Sequence, residues 1–550
     1  MSRWIAGGLL SIAVLVVFGN CLGNTFVWDD EQFVLKNQFL ASWRFLPQLL
    51  TRNVVAGAGV VSNLYRPVQS LTHFLDLRVW GPHPWGHHLS NLLFHIAAAA
   101  TLWGVLGRLF PLVPATVAAG LFCLHPLQSE AVAYVSGRGD TLGILFLCLG
   151  LLTHRRHVWL ALSFAGLAML SKESLVLFPV FLALYDRMTA QPITWKQHWP
   201  FWLLSAAYVL ARLTVLNFQN TLNFYASPNL LTEHLDVRIT TYLTTLPKGL
   251  ALWCWPIDLH HERSWPVSVG LGVPGGWLSL VGVAALGGWA WSARRTWPKT
   301  ACGFAWFVLA TLPTSNLVVL INAIFYDHWF LLPGIGLAVA VGELLSKITA
   351  IGGAPRTAAV SVSAVALIGF SLSTIGYNQV WKNPLSLNRH IFQWEPRSAK
   401  IANNLGMAYA DQGRHPEAIT LYRKALALSH DEYPQIHHNL ANAYLVQGDR
   451  EQALQEFRRA VEIDPRFYQA HQQIGVLHLQ SGHWDEAAGA FQRARQAFPY
   501  AAQAYLGLAQ VFLEQREPGK AVDILREGLR WIPGDPALTT AIRQIEPASP

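Results

Sequence analysis

Eleven apolar runs crowd the first 377 residues, and few folds are open to a chain built that way. They lie at 5–23, 89–107, 112–124, 140–153, 158–170, 174–185, 201–217, 274–292, 301–321, 329–346 and 357–377. A water-soluble core of this size needs a polar surface that the region lacks. Only 38 of the first 394 residues are Asp, Glu, Lys or Arg, about 10%, against roughly a quarter in soluble domains. Hydrocarbon is therefore the expected solvent. There every backbone N–H and C=O must bond within its own segment, which selects helices. The sequence predicts an all-α polytopic transmembrane domain over 1–378 with about 11 spans, the first an uncleaved span and not a signal peptide. Several runs fall short of the roughly 20 residues a perpendicular helix needs, so their borders are soft.

Loop charges orient these spans. With Arg3 inside, Arg108, Arg155 and Arg156, Arg187 and Lys196, Arg294, Arg295 and Lys299, then Lys347 and Arg356 all fall on the inner side. This holds if 239–256 does not cross. That stretch carries Pro247 and Lys248 at its middle, and a lysine at the bilayer centre costs about 2.5–3.5 kcal/mol. It is read as re-entrant or interfacial. The loop 24–88 and the tail then share the outer side, and the expected location is a bacterial inner membrane with both in the periplasm. The net charge of +8 is spread over short loops, a pattern of membrane orientation and not of nucleic-acid binding. The five cysteines include no CxxC pair, so neither a disulfide framework nor a zinc site is expected.

The tail is of another kind. Residues 395–550 hold 34 of the 72 charges. Ala418, Ala453, Ala487 and Ala521 are 35, 34 and 34 apart, and Tyr422, Phe457, Phe491 and Leu525 keep that step. Pro465, Pro499 and Pro533 recur at 34. Small residues where two helices touch, aromatics between them and proline at the turn make the tetratricopeptide pattern. Four repeats are expected over 400–550, with a short insertion at 429–433. Residues 379–399 form a linker or degenerate leading repeat. Such an α-solenoid offers a concave face to peptides.

Chemistry-bearing residues cluster on the predicted outer side. The loop 24–88 opens with Trp28-Asp29-Asp30-Glu31, where adjacent carboxylates raise each other's pKa and one can accept a proton near neutral pH. Tyr65-Arg66-Pro67, His87-His88-Leu-Ser-Asn91, His125-Pro-Leu-Gln-Ser-Glu130, Gly137-Arg138-Gly139-Asp140, Ser171-Lys172-Glu173, Pro313-Thr314-Ser315-Asn316 and Tyr326-Asp327-His328 follow. Ionisable groups packed around spans are costly and mark function by default. His87, His88, His125 and the paired acids offer N and O donors to a divalent ion, as does His260-His261-Glu262. No closed ligand spacing supports a required metal, so none is expected and no cofactor is called for.

In this order, these motifs and the repeat tail resemble the multispan, repeat-containing protein O-mannosyltransferases. Those enzymes belong to the GT-C class of polyprenyl-phosphate-sugar-dependent glycosyltransferases. The resemblance implies that Asp29 and Asp30 are the acidic pair that deprotonates an acceptor hydroxyl, and that Glu130 is the second-loop acid, with His125 and Arg138 beside it. From their charge, Arg66, Arg138 and Lys172 are expected to anchor the donor phosphate, with His125 and His88 among the substrate-binding residues. Where the family usually has a Glu-Arg pair before the penultimate stretch, this chain reads Tyr326-Asp327-His328. The implied reaction is inverting transfer of mannose or another hexose from a polyprenyl-phosphate donor in the membrane lipid. The implied acceptor is an exported polypeptide held by the repeats. A lipid or glycan acceptor, or a non-catalytic scaffold displaying the repeats, are the competing expectations.

Overall fold

Each of the eleven apolar runs overlaps a helix. The computed structural model describes residues 3–60, 62–223, 225, 228–270, 276–429 and 432–546. Among them there are helices, turns and one isolated bridge, Asn223 to Leu320, but no β-strand. The chain separates into two compact units, Met1–Leu387 and Asn388–Pro550.

In the first unit the runs become Arg3–Phe18, Pro84–Leu109, Leu112–Cys123, Arg138–Thr153, Val158–Ser171, Phe178–Met188, Trp195–Leu213, Gly276–Ala293, Pro298–Thr311, Leu331–Ile351 and Gly353–Asn378. Among the described residues, five segments are long and apolar enough to cross a membrane: Arg3–Gly23, Pro84–Leu109, Val135–Thr153, Asp327–Ile351 and Gly353–Lys382. Leu112–Cys123 and Val158–Ser171 are apolar but shorter. The expected count of about 11 spans is not reached: five segments among the described residues have the length and composition of a span. The rest fall short for local reasons. Phe178–Met188 is 11 residues long and ends in Asp186 and Arg187, and Trp195–Leu213 carries Lys196, Pro200 and Arg212. All but the last two residues of the stretch 239–256 lie in the helix Leu235–Cys254, which runs through Pro247, and Lys248 has Asp258 as its counter-ion.

Close helix crossings are made by missing side chains. Pro298–Thr311 meets Leu331–Ile351 at Gly303 and Gly336, where a Cβ on Gly336 would stand 2.1 Å from the Gly303 carbonyl oxygen. The loop 24–88 is compact as well. Short helical turns between Glu31 and Ala58 lead to the helix Pro67–Val79, and Phe33, Val34, Val54 and Val55 bury themselves with Val135. Hydrophobic burial thus draws the loop onto the segment that follows Glu130.

The second unit is the repeat array. Its helices pair as Ala399–Ala410 with His415–Ser429, Pro434–Val446 with Arg450–Ile463, Tyr468–Gln480 with Trp484–Ala497, and Ala502–Glu514 with Pro518–Trp531, followed by Pro536–Ile545. Ala418, Ala453, Ala487 and Ala521 are all fully buried. Gly413, Gly448 and Gly482 close the first three turns with φ of 74°, 84° and 76°, the left-handed conformation that ends a helix and favours glycine. At the fourth turn Arg516 takes the same conformation, φ 62°. The insertion at 429–433 lies partly outside the described residues.

Candidate functional site

The acidic loop is pinned to the segment after Glu130 by one carboxylate. Asp30 is fully buried. Its Oδ1 accepts from the Ser136 backbone N–H at 2.7 Å and the Ser136 hydroxyl at 2.6 Å, and its Oδ2 accepts from Val27 N–H at 3.0 Å. Burial pushes the Asp30 carboxyl up to about 7, against the pull of these donors and with help from the charge of Asp29. Asp29 is only partly buried. Between them and the cluster beyond stands Trp28, a non-glycine residue at φ 55°. Left-handed backbone at such a residue is strained and persists only where its surroundings hold it. Its ring meets His261 edge-on at 4.7 Å.

His261 belongs to a second constellation, assembled from three remote stretches of chain. Its Nδ1 lies 2.7 Å from Glu130 Oε1, and His328 Nδ1 lies against the same oxygen. Glu130 comes from the short helix Gln128–Ala133, and His328 from the turn Asp327–Phe330. Burial pushes the Glu130 carboxyl up, but the His328 and His261 imidazoles outweigh it and hold the group well below the ordinary carboxylate range. Tyr134, Tyr326 and Trp381 wall the His261 ring at 5.8, 5.5 and 5.5 Å. Tyr134 stands within the fields of all three acids: burial first, then the charges of Asp29, Asp30 and Glu130, push its phenol well above the ordinary value.

The expected phosphate anchors are placed differently. Arg66 and Lys172 belong to one compensated network: Arg66 Nε pairs with Glu173 at 2.9 Å, and Lys172 Nζ with Asp140 at 2.8 Å. Three sequence motifs interlock there, and both cations keep a little exposure, 13% and 10% of their side chains. Arg138 is fully buried. It pairs with Asp76 at 2.7 Å and donates to Asn91 Oδ1 at 2.8 Å and to the His87 carbonyl at 3.2 Å. His88 is buried in the helix Pro84–Leu109. His125 packs against Trp253 and Phe370, its Nδ1 accepting from Leu127 N–H and its Nε2 donating to the Trp253 carbonyl. Burial pushes that imidazole down to about 3, so it is neutral at physiological pH.

Several members of the site were not legible in the sequence. Ser136 has no motif, and Asp76 is a lone acid on an amphipathic helix. His261 and His328 stand among the sequence candidates, yet nothing in their spacing joins them to Glu130. Asp327, at the departure from the family pattern, meets its arginine from elsewhere: Arg263 Nε lies 3.1 Å from it.

Comparison with known proteins bears on both units. Tetratricopeptide-repeat models match residues 397–466 and 473–536. The chain is 25% identical over 495 residues to protein O-mannosyl-transferase TMTC1 of Homo sapiens, covering 77% of this chain and 55% of that protein. It is 24% identical over 486 residues to protein O-mannosyl-transferase TMTC4 of Mus musculus, covering 74% and 64%. A match to protein O-mannosyl-transferase Tmtc1 of Drosophila melanogaster reaches 32% identity over 189 residues, 32% of this chain and 22% of that one. The chain thus spans little more than half the length of the first of these relatives.

Proposed function

From a chain that is a tetratricopeptide-bearing relative of the protein O-mannosyl-transferases, we propose a membrane glycosyltransferase. It moves mannose or a similar hexose from a polyprenyl-phosphate donor to hydroxyls of an exported polypeptide. The carrying observation is the Asp30–Ser136 clamp, which joins residues 106 apart and brings the acidic loop to the Glu130 segment. Asp30 is buried and saturated with donors, so its work is to hold the loop. The partly exposed Asp29 beside it takes the proton of the acceptor hydroxyl as that oxygen bonds to the anomeric carbon. The bond from sugar to phosphate breaks through an oxocarbenium-like state, its electron pair leaving with the phosphate. A single displacement of this kind inverts the anomeric centre. Arg66 and Lys172, each with some exposure, swing from their carboxylates toward the leaving phosphate, whereas buried Arg138 keeps the framework in place. The repeats hold the acceptor and raise its local concentration. The reaction face is periplasmic.

The test is transfer from labelled polyprenyl-phosphate mannose to Ser/Thr-containing peptides by the chain reconstituted in vesicles. Asp29→Asn is expected to slow transfer about 100- to 10,000-fold, the range for loss of a general base. Undiminished transfer in both Asp29→Asn and Glu130→Gln would overturn the site, and no transfer by wild type from any polyprenyl-phosphate hexose would overturn the activity. Removal of 395–550 is expected to abolish peptide glycosylation while donor hydrolysis continues.

A further inference from the structure

Two groups of histidine and carboxylate side chains lie close enough among the described residues to share an ion: His73, Asp76 and His87, and Glu130, His261 and His328. Their surroundings separate them. In the first group Asp76 already faces a cation, with Arg138 Nη1 2.7 Å from Oδ2 and the Ser90 hydroxyl 2.7 Å from Oδ1. A metal would have to displace a fully buried guanidinium from Asp76, although both ring nitrogens of His73 there are buried without a hydrogen-bond partner.

The second group has a different character. Both imidazoles turn the same nitrogen, Nδ1, to one oxygen of Glu130, and the rings stack at 6.1 Å with 18° between their planes. His328 Nδ1 is buried, with Glu130 Oε1 against it. Donor atoms of all three residues lie within 4.8 Å of one another. We propose that Glu130, His261 and His328 bind a divalent first-row transition ion of the zinc type. Two imidazoles and a carboxylate are the donor set of open zinc sites, which keep positions free for water or substrate. Nitrogen donors favour such an ion over Mg2+ or Ca2+, which take oxygen. Trp28, Tyr134, Tyr326 and Trp381 supply the apolar shell that orients the rings and limits water around such a centre.

What the ion would do rests on the transfer reading: its free positions would accept a donor phosphate oxygen and supply positive charge where the phosphate leaves. Whether it binds is independent of that reading. The experiment titrates the untagged full chain in detergent, stripped with EDTA, with CoCl2, and follows visible cobalt absorption. Wild type is expected to bind one equivalent, undisplaced by a hundredfold excess of MgCl2. His261→Ala and His328→Ala are each expected to weaken binding at least about 100-fold, beyond what loss of an outer-shell partner costs. Since either variant could disturb the fold, His328→Cys supplies a positive signature. A thiolate at that position must restore binding and add a sulfur-to-cobalt charge-transfer band. The proposal is overturned by no cobalt binding in wild type, by displacement with Mg2+, by full affinity in both alanine variants, or by absence of the charge-transfer band. Failure of mannosyl transfer with cobalt binding intact would count against the transferase reading alone.

Discussion

Ser136→Ala removes a single hydroxyl from the clamp that joins the acidic loop to the Glu130 segment. Asp30 Oδ1 keeps the Ser136 backbone N–H at 2.7 Å but loses the hydroxyl at 2.6 Å, with Asp30 fully buried. A hydrogen bond to a charged group contributes about 1.5–3 kcal/mol, and one to a neutral group about 0.5–1.5 kcal/mol. At about 1.36 kcal/mol per decade, the first range opens the clamp roughly 10- to 150-fold more often. Hydrogen exchange reads this directly, because the Val27 and Ser136 amides both donate to Asp30 and are released only when it opens. The effect also carries a pH signature. Asp30 is raised from 3.8 to about 7 in the folded chain, so across that window the folded state holds an extra proton and loses stability as pH rises. Below the window's upper end the lost bond is a neutral one; above it, charge-assisted. The ratio of mutant to wild-type exchange should therefore be larger at about pH 8.5 than at about pH 5.5. A ratio below about 3 at both pH values, or one that falls as pH rises, would refute the clamp.

Three further outcomes are expected. Gly336→Val places side-chain carbon against the Gly303 carbonyl, 2.1 Å from the ideal Cβ. It should cost at least about 1–3 kcal/mol, seen as a lower melting temperature in detergent; an unchanged melt would mean that the helices do not cross so closely. Arg516→Gly relieves the left-handed turn of the fourth repeat (φ 62°). Removing a strain of about 1–2 kcal/mol at a cost of about 0.5–1 kcal/mol in glycine entropy should raise the urea midpoint of the repeat unit slightly. The reverse change, Gly482→Arg, should lower it. A cysteine at exposed Gln447 should react with an impermeant thiol reagent in intact cells whose outer membrane has been opened; labelling only after inner-membrane lysis would reverse the orientation.

What could be read from sequence was what repeats or persists locally. The steps of 35, 34 and 34 between Ala418 and Ala521 mark a helix-pair array because each repeat must meet its neighbour through the same small residue. All four alanines are fully buried. The apolar runs announced helices for an equally local reason, since hydrocarbon leaves the backbone no other partner. Their number as spans was less legible, because some helices are short and others carry Pro200, Asp186 or Arg212 within them.

The site divides along the same line. Sequence singled out Asp29, Asp30 and Glu130, since acids beside apolar spans are costly enough to stand out. It could not distinguish their duties, because burial and donor count depend on residues more than a hundred positions away. Only the tertiary structure buried Asp30 against Ser136 and left Asp29 partly exposed. It gave Arg66, Lys172 and Arg138 their carboxylate partners, and it set His261 and His328 on one oxygen of Glu130. A charge announces itself in the sequence; what neutralises it is a matter of which remote segments the packing brings within a few ångströms.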